Sequence, residues 1–136
     1  MGSESVDEVK HSLGRALLNG DVFGTFYDNF LDSDPRIPIL FSSTSWEDQK
    51  ALLRQGVNSV ISFYEGSATG KSAMTRIRHT HGRDRMNIPP DLYEAWVKSM
   101  VRAVEQHDQQ FTPALGAMWQ GVLSYGADYI RAGYEE

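Results

Sequence analysis

Apolar positions recur at helical spacing along almost the whole chain. Val6, Val9, Leu13 and Leu17 form the first stripe, with three or four residues between successive members. Ser5-Val-Asp-Glu8 precedes it with the spacing of a capping box. Asn19-Gly20-Asp21 breaks that stripe, and Asp21 is suited to cap a second helix. This second helix carries Val22, Phe23, Phe26, Tyr27, Phe30 and Leu31, an aromatic-rich face, and Ser33-Asp-Pro35 ends it. Pro35 to Phe41 predicts one tight helical turn, followed by an irregular corner over 42–44. Ser45-Trp-Glu-Asp48 starts another helix, with Gln49, Leu52, Leu53, Val57, Val60, Ile61 and Tyr64 on its stripe. Residues 65–70 read as a loop, and Gly66 to Ser72 as a flexible connector. Met74, Ile77 and His81 then share a helical face, with Gly82 as the helix stop.

Pro89-Pro90 opens the next helix, where proline suits the first turn. Its stripe is Tyr93, Trp96, Val97, Met100, Val101 and Val104, and His107-Asp108 ends it. Thr112-Pro113 is a cap followed by proline at the first helical position. The last helix shows Leu115, Met118, Trp119, Val122, Leu123, Tyr129 and Ile130, and the acidic tail from Tyr134 is expected to fray. No useful segment alternates with period two. The prediction is an all-α chain with about six substantial helices plus short turns.

Length and charge narrow the classes. A chain of 136 residues predicts one domain over 1–136. The net charge of −5 argues against a nucleic-acid partner and an anionic membrane surface. Without cysteine there is no disulfide or thiolate metal site, which fits a reducing cytoplasm. The polar, acidic N-terminus lacks the features of a secretory signal, and no stretch is apolar enough for a membrane span.

Two familiar motifs fail. The glycines of Gly66-Ser-Ala-Thr-Gly70-Lys71-Ser72 stand too close together for a phosphate loop, and no strand precedes them. Gly121-Val-Leu-Ser124-Tyr-Gly126 has Val122 where a nucleophile elbow needs glycine. His11, His79, His81 and His107 do not form a zinc motif. More informative are polar groups on apolar faces. His81 stands with Ile77 and Met74, whereas His79 lies about 200° away, beside Thr75 and Arg76, facing water. Gln49 is four residues before Leu53, so its amide points along an apolar face. Tyr27 lies on the aromatic face. Burying three such groups in one helical core is costly unless they converge. A flat iron cofactor would use all three. Imidazole ligates the metal on one side, and phenol and amide donate hydrogen bonds to a polar ligand on the other.

Phe26-Tyr27-Asp28-Asn29-Phe30, Pro35-Arg-Ile-Pro-Ile-Leu-Phe41 and Asp48-Gln49-Lys-Ala-Leu-Leu53 resemble the distal half of bacterial globins. His81 followed by Ile88-Pro-Pro-Asp-Leu-Tyr93 and Trp96 resembles the proximal half. The resemblance runs from about Val9 to Tyr129 and is nearest to bacterial single-domain globins and the globin domain of flavohaemoglobins. It implies the three-over-three globin fold around haem b (iron protoporphyrin IX), with helices crossing at roughly 50°. It makes His81 the proximal iron ligand, Phe41 the ring wedged against the haem, Tyr27 and Gln49 the distal pair, and Leu53 the apolar residue above them. Leu40, Leu52, Val57, Met74, Ile77, Met86, Ile88, Tyr93, Trp96 and Trp119 would complete the pocket. Arg83 and Arg85 would lie near the propionates. Two departures stand out: Gln49 replaces the distal histidine of animal myoglobins, and the corner between His81 and Tyr93 is longer than in flavohaemoglobins.

The implied function is reversible binding of O2, and of other diatomic gases such as CO and NO. The alternatives are NO dioxygenase activity with a separate reductase, since no flavin or nicotinamide domain follows in this chain, and a gas or redox sensor module. A monomer or a homodimer is compatible with each.

Overall fold

The structure, a computed structural model, describes residues 3–136, with side chains from Ser5 onward. Seven α-helices follow one another among the described residues: α1 (Ser3–Leu18), α2 (Val22–Ser33), α3 (Ile37–Leu40), α4 (Trp46–Tyr64), α5 (Ala68–Thr80), α6 (Tyr93–His107) and α7 (Pro113–Arg131). One turn of 3-10 helix, Pro90–Leu92, leads into α6. No strand occurs among them, and no helix is long and apolar enough to cross a membrane.

The helices stack as two layers of three. One holds α1, α4 and α5, and the other holds α2, α6 and α7, with α2 packed along α6, α4 along α5, and α7 crossing all of the first layer. The apolar stripes explain this. Val6, Val9, Val22, Phe26, Val57, Met74, Met100, Val104, Trp119 and Leu123 are essentially removed from water. Burying such side chains is the main favourable term in folding.

Caps bound two helices as the sequence suggests. Asp21 accepts from the Gly24 N–H at 3.0 Å, and Thr112 accepts from the Leu115 N–H at 3.1 Å; each satisfies an amide that has no partner inside the helix. The turn after Phe41 carries no separate helix before Ser45.

Four local expectations are corrected. Ser5 lies inside α1, which already runs from Ser3, so the cap of that helix falls outside the described residues. Most of the expected connector is helix: Ser67 caps α5 through a 3.0 Å bond from the Gly70 N–H. Gly70 is buried because a Cβ there would lie 2.5 Å from the backbone nitrogen of Phe63, so it permits α4 and α5 to touch.

Gly82 does not take a left-handed conformation to stop α5; Asn87, at φ 54°, is the left-handed residue of this corner. Gly82 is instead covered by the chain end, with the Tyr134 and Gly133 carbonyls close to where a Cβ would stand. The tail itself is held. Arg83 N–H donates to the Tyr134 carbonyl at 2.8 Å. Glu135 pairs with Arg83 at 3.0 Å and Glu136 with Arg78 at 2.5 Å. The Tyr134 hydroxyl bonds Asn87.

Candidate ligand pocket

His81 is the residue at which α5 ends. Its N–H still donates to the Ile77 carbonyl at 3.0 Å, so the ring leaves the helix in a direction fixed by the last turn. The corner then folds back onto it, with the Ile88 N–H bonded to the His81 carbonyl at 3.2 Å. The ring is half-buried, and burial pushes the imidazole below its ordinary pKa, which favours the neutral form needed in a metal ligand. Nδ1 lies 3.3 Å from Thr80 Oγ1, and Nε2 has no protein hydrogen-bond partner among the described residues. His79 is exposed.

On α2 and α4, Tyr27 and Gln49 do meet. The amide Nε2 donates to the phenol oxygen at 3.1 Å, and the hydroxyl points back at the Gln49 carbonyl over a long 3.4 Å. Burial raises the Tyr27 pKa, only partly offset by the Gln49 bond, so the phenol keeps its proton and remains a donor. Phe41 packs edge-on to Tyr27, with centroids 5.6 Å apart, and reaches Phe30 at 6.3 Å.

Helix α6 links the two groups. Tyr93 lies beside His81 at 6.4 Å, and Trp96, three residues later on the same side of α6, meets Phe26 at 6.1 Å. Tyr93 is buried, and its phenol pKa is pushed up by that burial.

The remaining predicted pocket residues divide by exposure. Leu53, Val57 and Met74 are buried; Ile77, Ile88 and Trp96 are half-buried and packed on the core. Leu40, Leu52 and Met86 are 39%, 57% and 57% exposed. Large apolar side chains left in water on α3, on α4 and in the corner after His81 fit a flat apolar cofactor that would cover them. The residues present therefore fit a haem: one neutral imidazole, a protonated donor pair and an apolar rim.

Trp119 has a polar partner on α1. It is fully buried and its indole N–H donates to Ser12 on α1 at 2.9 Å, so its polar end serves the α1–α7 contact. Arg83 is engaged by Glu135, whereas Arg85 is exposed with no ion pair among the described residues.

One residue escaped the sequence reading. Trp46 packs at a tilt against Tyr27 and Phe41, with ring centroids 5.2 and 5.9 Å away. Its signal was present, since it stands three residues before Gln49 on the same helix, a spacing that puts both on one side.

The chain is similar to a protein from Pseudomonas aeruginosa PAO1 whose crystal structure is described as structurally highly homologous to a human hemoglobin. The two share 30% sequence identity and superpose with a TM-score of 0.93, over 97% of this chain and 99% of that one. No family model matches the chain, and no curated protein does.

Proposed function

The chain belongs to the globin family, and from that premise we propose that it is a haem-b protein that binds O2 reversibly, with His81 as the proximal iron ligand and Tyr27 and Gln49 as the distal pair. The observation that carries the reading is the half-buried His81 imidazole with Nε2 free of protein partners among the described residues. Haem would supply the iron to which a diatomic gas binds. The chain's own residues do the rest. The end of α5 and the corner bonded to its carbonyl orient the imidazole. The apolar residues around it exclude water. Tyr27, relieved of its long bond to the Gln49 carbonyl, turns its hydroxyl toward a polar ligand, while the Gln49 amide holds the phenol oxygen. The same pocket would take CO and NO. Arg83, which pairs with Glu135 here, and Arg85, with no ion pair among the described residues, would be the residues to meet a propionate.

Haem titration of three proteins tests the assignment. Wild type and His79→Ala should give the same Soret band, and His81→Ala should lose it or bind haem much more weakly. Because the cofactor binds the native state, loading should also raise the melting temperature; at a thousandfold excess over Kd the gain is about 4 kcal/mol. His81→Ala should forfeit that rise. A normal Soret band in His81→Ala together with its loss in His79→Ala overturns the assignment.

A further inference from the structure

A groove of about 510 Å³ opens between α2 and the start of α4, bordered by Asp21, Asp28, Leu31, Trp46 and Lys50, with Tyr27 at its floor. Tyr27 of the distal pair lines this groove yet is only 5% exposed, and the Trp46 indole, packed at a tilt with its ring centroid 5.2 Å from the phenol's, is part of what covers it. The two ends of the groove are built differently. At one end Lys50 of α4 reaches Asp21 at 2.6 Å, and Asp21 in turn caps α2. At the other end Trp46 is the first residue of α4, and Ser45 before it makes no side-chain cap bond. An uncapped first turn leaves amide groups without helical partners and opens more readily than the helix interior. Trp46 is 40% exposed, and its indole nitrogen makes no protein hydrogen bond among the described residues. Among the described residues its aromatic contacts are to Tyr27 and Phe41.

We propose that the α2/α4 groove is the access route for diatomic gases to the distal face, and that Trp46 is the gate residue setting the rate of passage. The inference rests on the haem reading above. A small apolar gas needs no polar recognition and follows the path that opens at least cost. Swinging one half-exposed indole off two rings leaves the Tyr27–Gln49 hydrogen bond between α2 and α4 in place, whereas separating the two helices breaks it.

Flash photolysis of the CO complex measures the passage. Even one aromatic pair contact contributes roughly 0.5–1.5 kcal/mol to the closed state, so Trp46→Ala should speed bimolecular CO association by at least about 2-fold. Trp46→Phe keeps an aromatic ring over Tyr27 and should stay near wild type, as should Ile39→Ala, which removes an exposed side chain outside the groove. A second readout needs no haem. Tetranitromethane should nitrate Tyr27 faster in haem-free Trp46→Ala than in haem-free wild type, scaled to the exposed Tyr125 and read by peptide mass spectrometry. Unchanged CO association in Trp46→Ala, or unchanged Tyr27 nitration, overturns the gate. A wild type that forms no CO complex overturns the haem reading and the gate with it.

Discussion

Tyr27 is surrounded by three other rings, with Phe26 at 4.9 Å, Trp46 at 5.2 Å and Phe41 at 5.6 Å, and it has one strong hydrogen bond, from Gln49. That makes its hydroxyl a fixed donor whose proton is held by a weak contact. If the pair stabilises bound O2, removing either donor should speed O2 dissociation. A net hydrogen bond of roughly 0.5–1.5 kcal/mol corresponds to a factor of about 2 to 10 for each of Tyr27→Phe and Gln49→Leu. CO is less polar, so its dissociation should change less, and stopped-flow ligand replacement reads both. Equal acceleration of the two gases would point to steric obstruction instead. At this scale the sequence was legible where function coincides with helical spacing. Gln49 sits four before Leu53, and His81 seven after Met74, so an apolar face with a polar interruption was visible. The Tyr27–Gln49 bond and the Trp46 contact join residues of different helices, and no periodicity reports on such pairs. The resemblance paired Tyr27 with Gln49; their bond and the Trp46 contact are visible only in the folded chain.

The α4–α5 contact decides whether the His81 helix is held in place. Gly70 lets the α5 backbone approach α4 so closely that a Cβ would meet the Phe63 nitrogen at 2.5 Å and the Ser62 carbonyl carbon at 2.7 Å. These are backbone atoms and cannot turn aside, so Gly70→Val should cost about 1–3 kcal/mol by overpacking. Gly121 on α7 has nothing within 4 Å of its Cβ position. There, Gly121→Ala should stabilise by about 0.4–1 kcal/mol through helix propensity and the unfolded chain. Denaturant midpoints of the two variants should therefore move in opposite directions; a shift of the same sign in both would remove the close approach as the reason for glycine at 70. The sequence misread this region because glycine and serine are ordinary loop residues. Their second use, as cap and contact point, depends on a neighbouring helix that local pattern does not show. The tail was misjudged for the same reason: its carboxylates meet Arg78 and Arg83, more than fifty residues earlier.

Across the whole molecule, one buried polar network ties the layers together. Asp108, 2% exposed where α6 ends, accepts from Ser12 at 2.6 Å and from Arg15 at 2.7 and 3.0 Å, and Ser12 accepts from Trp119. It joins α1 and α7 to the corner that follows α6. In the sequence, His107-Asp108 showed only that a helix ends, because the partners lie more than ninety residues away. Helical stripes were enough to reveal the fold class; what locks the stripes together was not readable from them. The lock has a pH dependence. Burial by itself would raise the Asp108 pKa, but the Arg15 and Ser12 bonds and the Gln110 N–H outweigh it and leave the carboxyl at about 2, below the ordinary 3.8. A depressed pKa favours the folded state wherever the carboxylate is ionised in both states. The contribution is therefore complete above about pH 4 and is lost as pH falls through 2, and a difference of nearly two units corresponds to ~2 kcal/mol. Thermal or urea unfolding of the haem-free chain between pH 2 and 7 should show this loss in wild type. Asp108→Asn should begin less stable at pH 7, because Arg15 is left without its carboxylate, and should lose less on acidification. The gap between the two curves should narrow from pH 4 downward; a gap that stays constant to pH 2 would show that the Asp108 charge is not what holds the corner.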